Sequence, residues 1–199
     1  MSTPLVAAGT RLFNPYNRET FIFTKPVESE DAAEFDVLLE PSSSHGDDGV
    51  SHIHPKSDEY FTVRSGSLRV VVDGNERLVG PGETVVVPRG RPHYFRNGHD
   101  GETLFTIRFE PGMKFLRFFL EFGTAVETHP EWYDEKGNSS PLLTALALHE
   151  FPNQIYVAGT PIWVQKLIFA ALAPIARLKG YHLPFRREEL MREGDFARA

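Results

Sequence analysis

The chain has 199 residues, a formal net charge of −6 at neutral pH and no cysteine. The acidic balance argues against a nucleic-acid-binding protein, because phosphate binding requires a clustered excess of Lys and Arg. Without cysteine there are no disulfides, thiolate ligands or cysteine nucleophiles, so any bound metal must be held by nitrogen and oxygen. The N-terminus lacks the basic leader and long apolar run of a signal peptide, and we expect a cytoplasmic protein.

The first half of the chain has the pattern of a β-protein. Between Thr10 and Pro111, short segments rich in β-branched and aromatic residues alternate with Gly, Pro, Asn and Asp. The predicted strands are 20–25, 34–40, 59–66, 67–74, 76–80, 83–88, 92–98 and 103–110. Connections this short cannot hold crossover helices, so neighbouring strands should be antiparallel and close as a barrel or a two-sheet jelly roll.

The sequence changes character after Pro111. Polar residues at three- and four-residue spacing predict an amphipathic helix over 113–122, followed mostly by loop over 124–140. A second helix is predicted to begin at Pro141, with Ser140 as its N-cap, and to end before Pro152.

A third predicted helix begins at Pro161 after an N-cap at Thr160 and ends before Gly180. Its main apolar stripe consists of Val164, Ile168, Ala171, Ile175 and Leu178. Its uninterrupted apolar stretch, 167–176, is far shorter than the roughly 20 residues of a spanning helix. We therefore expect no transmembrane segment, and burial of this helix against protein.

These patterns divide the chain into two parts. Residues 1–111 form a mainly β domain, a single antiparallel β-barrel with N-terminal strands. Residues 112–199 form an α-helical extension that packs on the barrel or at a homodimer interface.

Residues of metal-ligating type stand at informative positions in the barrel. His52 and His54 are two apart, so on one strand their side chains point to the same face. Glu59 follows across a Pro-Lys-Ser-Asp turn, and His93 lies on a later strand that can reach across the interior. Three nitrogens and one oxygen leave about two octahedral positions open, as catalytic metal sites do. The sequence thus predicts a site for one divalent transition-metal ion, namely Fe, Mn, Ni or Zn.

The spacing of this region resembles that of the small single-barrel cupins, a superfamily that includes quercetin-dioxygenase-like proteins. The first cupin motif is matched by Gly46, His52, His54, Glu59 and Gly66, and the second by Gly82, Pro88, Gly90, His93 and Asn97. The resemblance covers roughly residues 30–111. It implies a jelly-roll barrel with a metal held by the three histidines and the glutamate. We expect the motif glycines at 66, 82 and 90 to occupy turns that require positive φ.

Residues that share a strand face with the predicted ligands are expected to form the walls of a substrate pocket. Val50, Phe61, Val63 and Phe95 should share the inward face of their strands, which makes the pocket largely apolar. Arg108 is a further pocket candidate: turned inward it would hold a substrate carboxylate or phenolate, and turned outward it would be ordinary surface.

The phenylalanines of the first predicted helix have two interpretations. Phe115, Phe118, Phe119 and Phe122 could line a hydrophobic substrate pocket, but their helical spacing favours a core-packing stripe.

Two classes of function fit these expectations. The first is a metal-dependent enzyme of dioxygenase (oxidoreductase) or isomerase type that acts on a small, largely apolar, oxygen-bearing organic molecule, with Glu59 as both ligand and catalytic base. The second is a non-enzymatic binding module for a small ligand, in which the metal is structural. The sequence has no basic helix-turn-helix pattern, which argues against a transcription factor.

Overall fold

A computed structural model describes residues 4–41 and 50–185 of the chain. In these ranges the strands are Thr10–Asn14 (β1), Glu19–Phe23 (β2), Ala33–Leu39 (β3), His52–Ile53 (β4), Asp58–Ser65 (β5), Leu68–Val72 (β6), Asn75–Val79 (β7), Thr84–Val87 (β8), His93–Asn97 (β9), Thr103–Glu110 (β10) and Tyr156–Val157 (β11). The helices are Phe115–Thr128 (α1), Pro141–Glu150 (α2) and Ile162–Leu178 (α3), with a 3-10 turn at Pro130–Trp132. The motif residue Gly46 lies outside the described residues.

The strands form two antiparallel sheets. One has the order β1-β2-β3-β10-β5-β8 and the other the order β11-β4-β9-β6-β7. Every strand expected from the sequence is present, and the predicted mainly β jelly roll with a C-terminal helical region is confirmed. Three strands are not predicted from the sequence. Strands β4 and β11 have only two residues each, and β1 precedes the first predicted segment.

Alternation along the strands builds the core between the sheets. In β3, every second residue from Ala33 to Leu39 is buried while the residues between them are partly exposed. Phe61, Phe105 and Phe109 are completely buried in the same cluster. Each such side chain stabilises the fold by roughly 1.5–3 kcal/mol relative to exposure.

Helix α1 continues six residues beyond its predicted end at Phe122. The expectation of loop over 124–140 is therefore wrong for residues 124–128, which are helical. A glycine lies inside this helix, where it allows close packing. A Cβ at Gly123 would lie 2.7 Å from Cδ1 of Leu12 on β1, so the missing side chain lets α1 lie close against that strand. Helix α1 packs on β1 and β3.

The two later helices follow their sequence signals closely. Helix α2 begins at Pro141, and the Ser140 hydroxyl accepts a hydrogen bond from the Leu142 backbone N–H at 3.3 Å. Helix α3 begins one residue later than expected, with Pro161 instead of Thr160 at the N-cap position.

The face that α3 buries differs from the predicted one. Its buried residues are Gln165, Ala173 and Ala176, whereas Ile168, Ile175 and Leu178 of the predicted stripe are exposed. The helix is apolar almost all round, so periodicity alone could not identify its buried face; small alanines allow it to pack closely on α2. Among the described helices, none combines the length and the apolarity needed to cross a membrane.

Candidate metal centre

The four predicted ligands meet between the two sheets. His52 on β4 lies directly across from His93 on β9, and His54 follows the end of β4. Glu59 comes from β5 in the opposite sheet. One ligand atom from each of the four residues lies within 4.8 Å of the others. This arrangement brings three nitrogens and one carboxylate oxygen to a common point and could hold one metal ion.

Backbone carbonyls orient the three imidazole rings. Nδ1 of His52 lies 3.0 Å from the carbonyl oxygen of Val50. Nδ1 of His54 lies 2.5 Å from that of Gln154, and Nδ1 of His93 lies 2.9 Å from that of Arg91. Because a carbonyl oxygen only accepts, each Nδ1 carries the hydrogen and donates it. Such contacts fix the tautomer and leave Nε2 as the ligating atom, as in many metal sites.

Burial and mutual repulsion set the charge of His52. Desolvation, with the neighbouring His54 and His93, lowers the pKa of His52 to about 3. Its imidazole is therefore neutral near pH 7, which is the form that binds a metal ion.

Glu59 and His93 form a buried ion pair, with Nε2 of His93 2.6 Å from Oε2 of Glu59. Burial alone would raise the pKa of Glu59, but attraction to His54 and His93 and the hydrogen bond from His93 outweigh it and hold that pKa well below its usual range. Burial likewise opposes the charged form of His93, yet the Glu59 carboxylate raises the pKa of His93 above its ordinary value. The carboxylate is thus ionised and ready to ligate a cation.

One buried atom tests whether a metal fits these residues. Nε2 of His54 has no hydrogen-bond partner among the described residues, although the side chain is almost completely buried. It lies 3.4 Å from Oε2 of Glu59. A buried nitrogen without a partner is costly, and a cation held jointly with the adjacent carboxylate would satisfy it. The donor set fits a divalent transition metal.

A cavity of about 380 Å³ adjoins the ligands. Its lining includes His52, His54 and Glu59 together with two predicted pocket residues, Val50 and Phe95. The volume lies in the range of small-molecule sites, roughly 300–1,000 Å³.

The helical extension supplies much of the cavity wall. Phe118, Phe119 and Phe122 on α1 line it, as do Leu148 on α2 and Tyr156 on β11. Phe118 and Phe119 also contact the hydrophobic clusters, so these rings serve both as core and as pocket wall. The cavity therefore lies where the extension covers the barrel.

Strand β11 ties the extension to the metal ligands. Tyr156 and Val157 pair with Ile53 and His52 of β4, and the Ala158 N–H donates to the Ser51 carbonyl at 2.9 Å. The carbonyl that orients His54 comes from the same segment. Gln154, 100 positions further along the chain, thus helps to orient the ligand His54.

Polar groups line another part of the cavity. Asn17 and Glu19 are buried beside β2, and the Asn17 amide donates to the Glu19 carboxylate at 2.8 Å. Tyr133 lines the cavity as well, and its hydroxyl is buried without a hydrogen-bond partner among the described residues. These groups come together because the loop bearing Tyr133 packs on Tyr16, whose ring stacks on Tyr133 at 5.9 Å.

The structure corrects three of the five predicted pocket residues. Arg108 points out of the barrel, where it is exposed and pairs with Glu110 and Glu34, because the adjacent Ile107 and Phe109 take the inward positions of β10. Phe61 and Val63 do point inward, but they are core residues that do not line the cavity. Phe95, which does line the cavity, contacts the Phe61 ring with 5.3 Å between centroids.

Several cavity residues carry no sequence signal. Asn17, Glu19, Tyr133 and Tyr156 lie outside both motifs, in segments whose spacing gives no reason to bring them together. Among the cavity residues outside the two motifs, the helical phenylalanines are those that the sequence does indicate, through their density. The motif glycines at 66, 82 and 90 do have positive φ, as expected.

The fold and the converging ligands define a jelly-roll barrel with a metal-ligating group, and residues 37–107 match the model of the Cupin domain family. This part of the chain is therefore similar to a cupin domain. An uncharacterized protein of Aquifex aeolicus (strain VF5) is 26% identical over 80 residues, which are 40% of this chain and 61% of that protein. The match therefore spans less than two thirds of this relative.

Two solved structures are similar to part of the chain, at low sequence identity. A sugar phosphate isomerase from a cupin superfamily of Silicibacter pomeroyi is 23% identical over 48% of this chain and 60% of its own, with a TM-score of 0.40. A nucleoside dehydratase of Streptomyces is 15% identical over 56% of this chain and 83% of its own, with a TM-score of 0.42. At these TM-scores, neither likeness bears on the substrate of this chain.

Proposed function

We propose that this protein is a metal-dependent enzyme, of dioxygenase or isomerase type, that acts on a small, largely apolar, oxygen-bearing organic molecule. One observation carries the proposal: three of the four metal-ligating residues, His52, His54 and Glu59, line the same cavity as a cluster of aromatic side chains. A metal that served only as a staple would not need a cavity of substrate size beside it.

The ligand set defines the chemistry available. Held by His52, His54, Glu59 and His93, a divalent ion would act as a Lewis acid on a substrate oxygen. Bound against the aromatic wall of α1, a substrate would displace water from the cavity, and electrostatic interactions there would be strengthened.

Glu59 is proposed to move a proton as well as to hold the metal. Its carboxylate is ionised, because His54 and His93 keep its pKa low, and it lines the cavity where a substrate would lie. An ionised carboxylate within reach of an acidic C–H or O–H can accept that proton.

The polar groups at Asn17, Glu19 and Tyr133 are proposed to orient the substrate. The Glu19 carboxylate accepts hydrogen bonds and the Tyr133 hydroxyl can donate or accept. A mostly apolar molecule with polar groups that reach these residues and the metal would fit the lining better than a wholly apolar one.

The test separates an enzyme from a binding module with a structural metal. The protein is purified without added metal, its metal content is measured, and the Fe, Mn, Ni and Zn forms are screened with phenolic, enol and 1,3-dicarbonyl compounds for O₂ uptake and for isomerised products. His52→Ala and His93→Ala should lose metal and turnover together, whereas His149→Ala, an exposed histidine on α2, should keep both.

Glu59→Gln provides the decisive comparison. If Glu59 moves protons, this variant should lose more of its turnover than of its metal. Tight binding of a screened compound, with no turnover by any metal form, would refute the enzyme and favour the binding module. The homodimer and the cytoplasmic location expected from the sequence stay predictions.

A further inference from the structure

The outward side of α3 is an unusually apolar protein surface. Five large side chains of this helix are exposed: Trp163 by 66%, Leu167 by 63%, Ile168 by 46%, Ile175 by 43% and Leu178 by 88%. We call these five residues the outer face of α3. With 3.6 residues per turn they share one side of the helix, and a contiguous exposed apolar surface of this kind marks an interaction site.

The fold holds this face outward. The Gln165 side chain accepts from the Val157 N–H at 3.0 Å and donates to the carbonyls of Val157 and Thr160, each at 2.9 Å. On the same side of α3, Ala173 and Ala176 are completely buried in a cluster with Leu146 of α2. Since these contacts fix the rotation of the helix, the outer face cannot turn inward without breaking them.

Positive charge flanks the outer face on both edges. At 100° per residue, Lys166 and Arg177 lie along one edge and Lys179 lies along the other. The helix contains no acidic residue, although acidic residues outnumber basic ones in the whole chain by 27 to 21. Arg177 pairs with Glu150 of α2, and Lys166 donates to the neutral Asn153 amide. Lys166 and Lys179 thus leave net positive charge on the two edges of the outer face.

We propose that the outer face of α3 docks on a membrane surface that contains anionic lipid, with the helix parallel to the surface. An apolar face edged by cations is typical of interfacial helices, whose apolar side enters the boundary between head groups and acyl chains. Lys and Arg at the edges can bury their stems and keep their charged ends among lipid phosphates.

A second copy of the chain fits this face less well. A symmetric dimer sets the same patch of both subunits face to face. Two α3 helices paired in this way would bring their cationic edges together, and neither helix has an acidic residue to offset them. An anionic lipid surface supplies both the apolar medium and the opposite charge.

Docking is independent of the proposed enzyme activity. No residue of α3 lines the cavity, so substitutions on the outer face leave the metal ligands and the cavity unchanged.

The experiment uses the full chain with Trp132→Phe, which leaves Trp163 as the sole tryptophan. Binding is measured by cosedimentation and Trp163 fluorescence, with phosphatidylcholine vesicles that do or do not contain about 30% phosphatidylserine. Anionic vesicles should bind the protein and shift Trp163 emission to the blue, more weakly as salt is raised.

Leu167→Glu tests the apolar contact and should weaken binding by about tenfold or more, because it places a charge in the apolar layer. Its matched control is Leu78→Glu, which makes the same change at a leucine 54% exposed on β7 and should bind normally. Lys166→Gln with Lys179→Gln should weaken binding only to the anionic vesicles. Thermal unfolding confirms that each variant is folded.

Three results would overturn the proposal. The first is no binding of the full chain to anionic vesicles. The second is equal loss of binding in Leu167→Glu and Leu78→Glu. The third is a dimer in lipid-free solution, detected by light scattering, that Leu167→Glu converts to a monomer, since the face would then belong to a second copy.

Discussion

Phe115 couples the helical extension to the metal centre, and its removal should weaken metal binding and stability together. The side chain is completely buried at the start of α1. Its ring stacks on Phe109, with 3.7 Å between centroids, and lies edge-on to His54 at 5.3 Å. Truncation of a buried phenylalanine to alanine costs about 3–5 kcal/mol, a large share of the roughly 5–15 kcal/mol that stabilises a domain.

The effect on metal affinity has a separate origin. In Phe115→Ala the His54 ring loses one of its two phenylalanine neighbours and keeps Phe109, 5.0 Å away. The Nδ1 hydrogen bond to the Gln154 carbonyl also stays. We therefore expect the Kd for the metal to rise about tenfold, the lower end of the effect of disrupting groups that orient ligands.

Urea denaturation of the metal-free protein measures the first effect, and competition with a chelator at a temperature where the variant is folded measures the second. Phe105→Ala is the matched control, because Phe105 is equally buried but packs on Phe61 and Phe95. It should lose similar stability and keep wild-type metal affinity. If both variants weaken metal binding equally, the contact between Phe115 and His54 has no specific role.

Three further predictions follow from individual residues. Metal affinity should fall as the pH falls through the raised pKa of His93, because the imidazolium must lose its proton to bind; pH-independent affinity between pH 8 and about 6 would contradict this. Gly137→Ala should lower the free energy of unfolding by about 2 kcal/mol or more, since φ is +80° and the new Cβ would lie 2.2 Å from Cβ of Tyr16. Its control is Gly159→Ala, where φ is +82° but the new Cβ would meet no neighbouring atom; the same denaturation assay should show a clearly smaller loss of stability. Arg108→Ala should change the free energy of unfolding by less than about 1 kcal/mol and leave metal affinity unchanged. A marked loss of metal affinity would instead show that Arg108 contributes to the metal site.

The strands and the metal ligands can be predicted from the sequence because their signals are local. Alternation in segments such as β3 fixes which side chains point inward, and the two motifs place His52, His54, Glu59 and His93 at spacings that strand geometry can bring together. The ligand side chains converge although β4 is only two residues long, because Glu59 and His93 are held on longer strands.

The cavity cannot be predicted in the same way, since it depends on contacts between distant segments. Gln154 orients His54 across 100 residues, and Asn17 reaches the cavity only because the barrel, the β1–β2 hairpin and the extension meet there. Helix α3 shows a different limit: apolar residues occupy nearly every side of it, so only the small alanines that contact α2 distinguish the buried side. The outward direction of Arg108 is a local feature that the sequence does carry, because Phe105, Ile107 and Phe109 occupy the opposite phase of β10.

The pairing of β4 with β11 has a consequence for how the protein folds. This two-residue ladder joins segments about a hundred residues apart, and contacts of such high sequence separation are slow to form because a long loop must close first. During synthesis the barrel strands leave the ribosome well before Gln154 does. We expect the histidines to be present but incompletely oriented at that stage, so high-affinity metal capture should come as a late step, after the helical extension has docked.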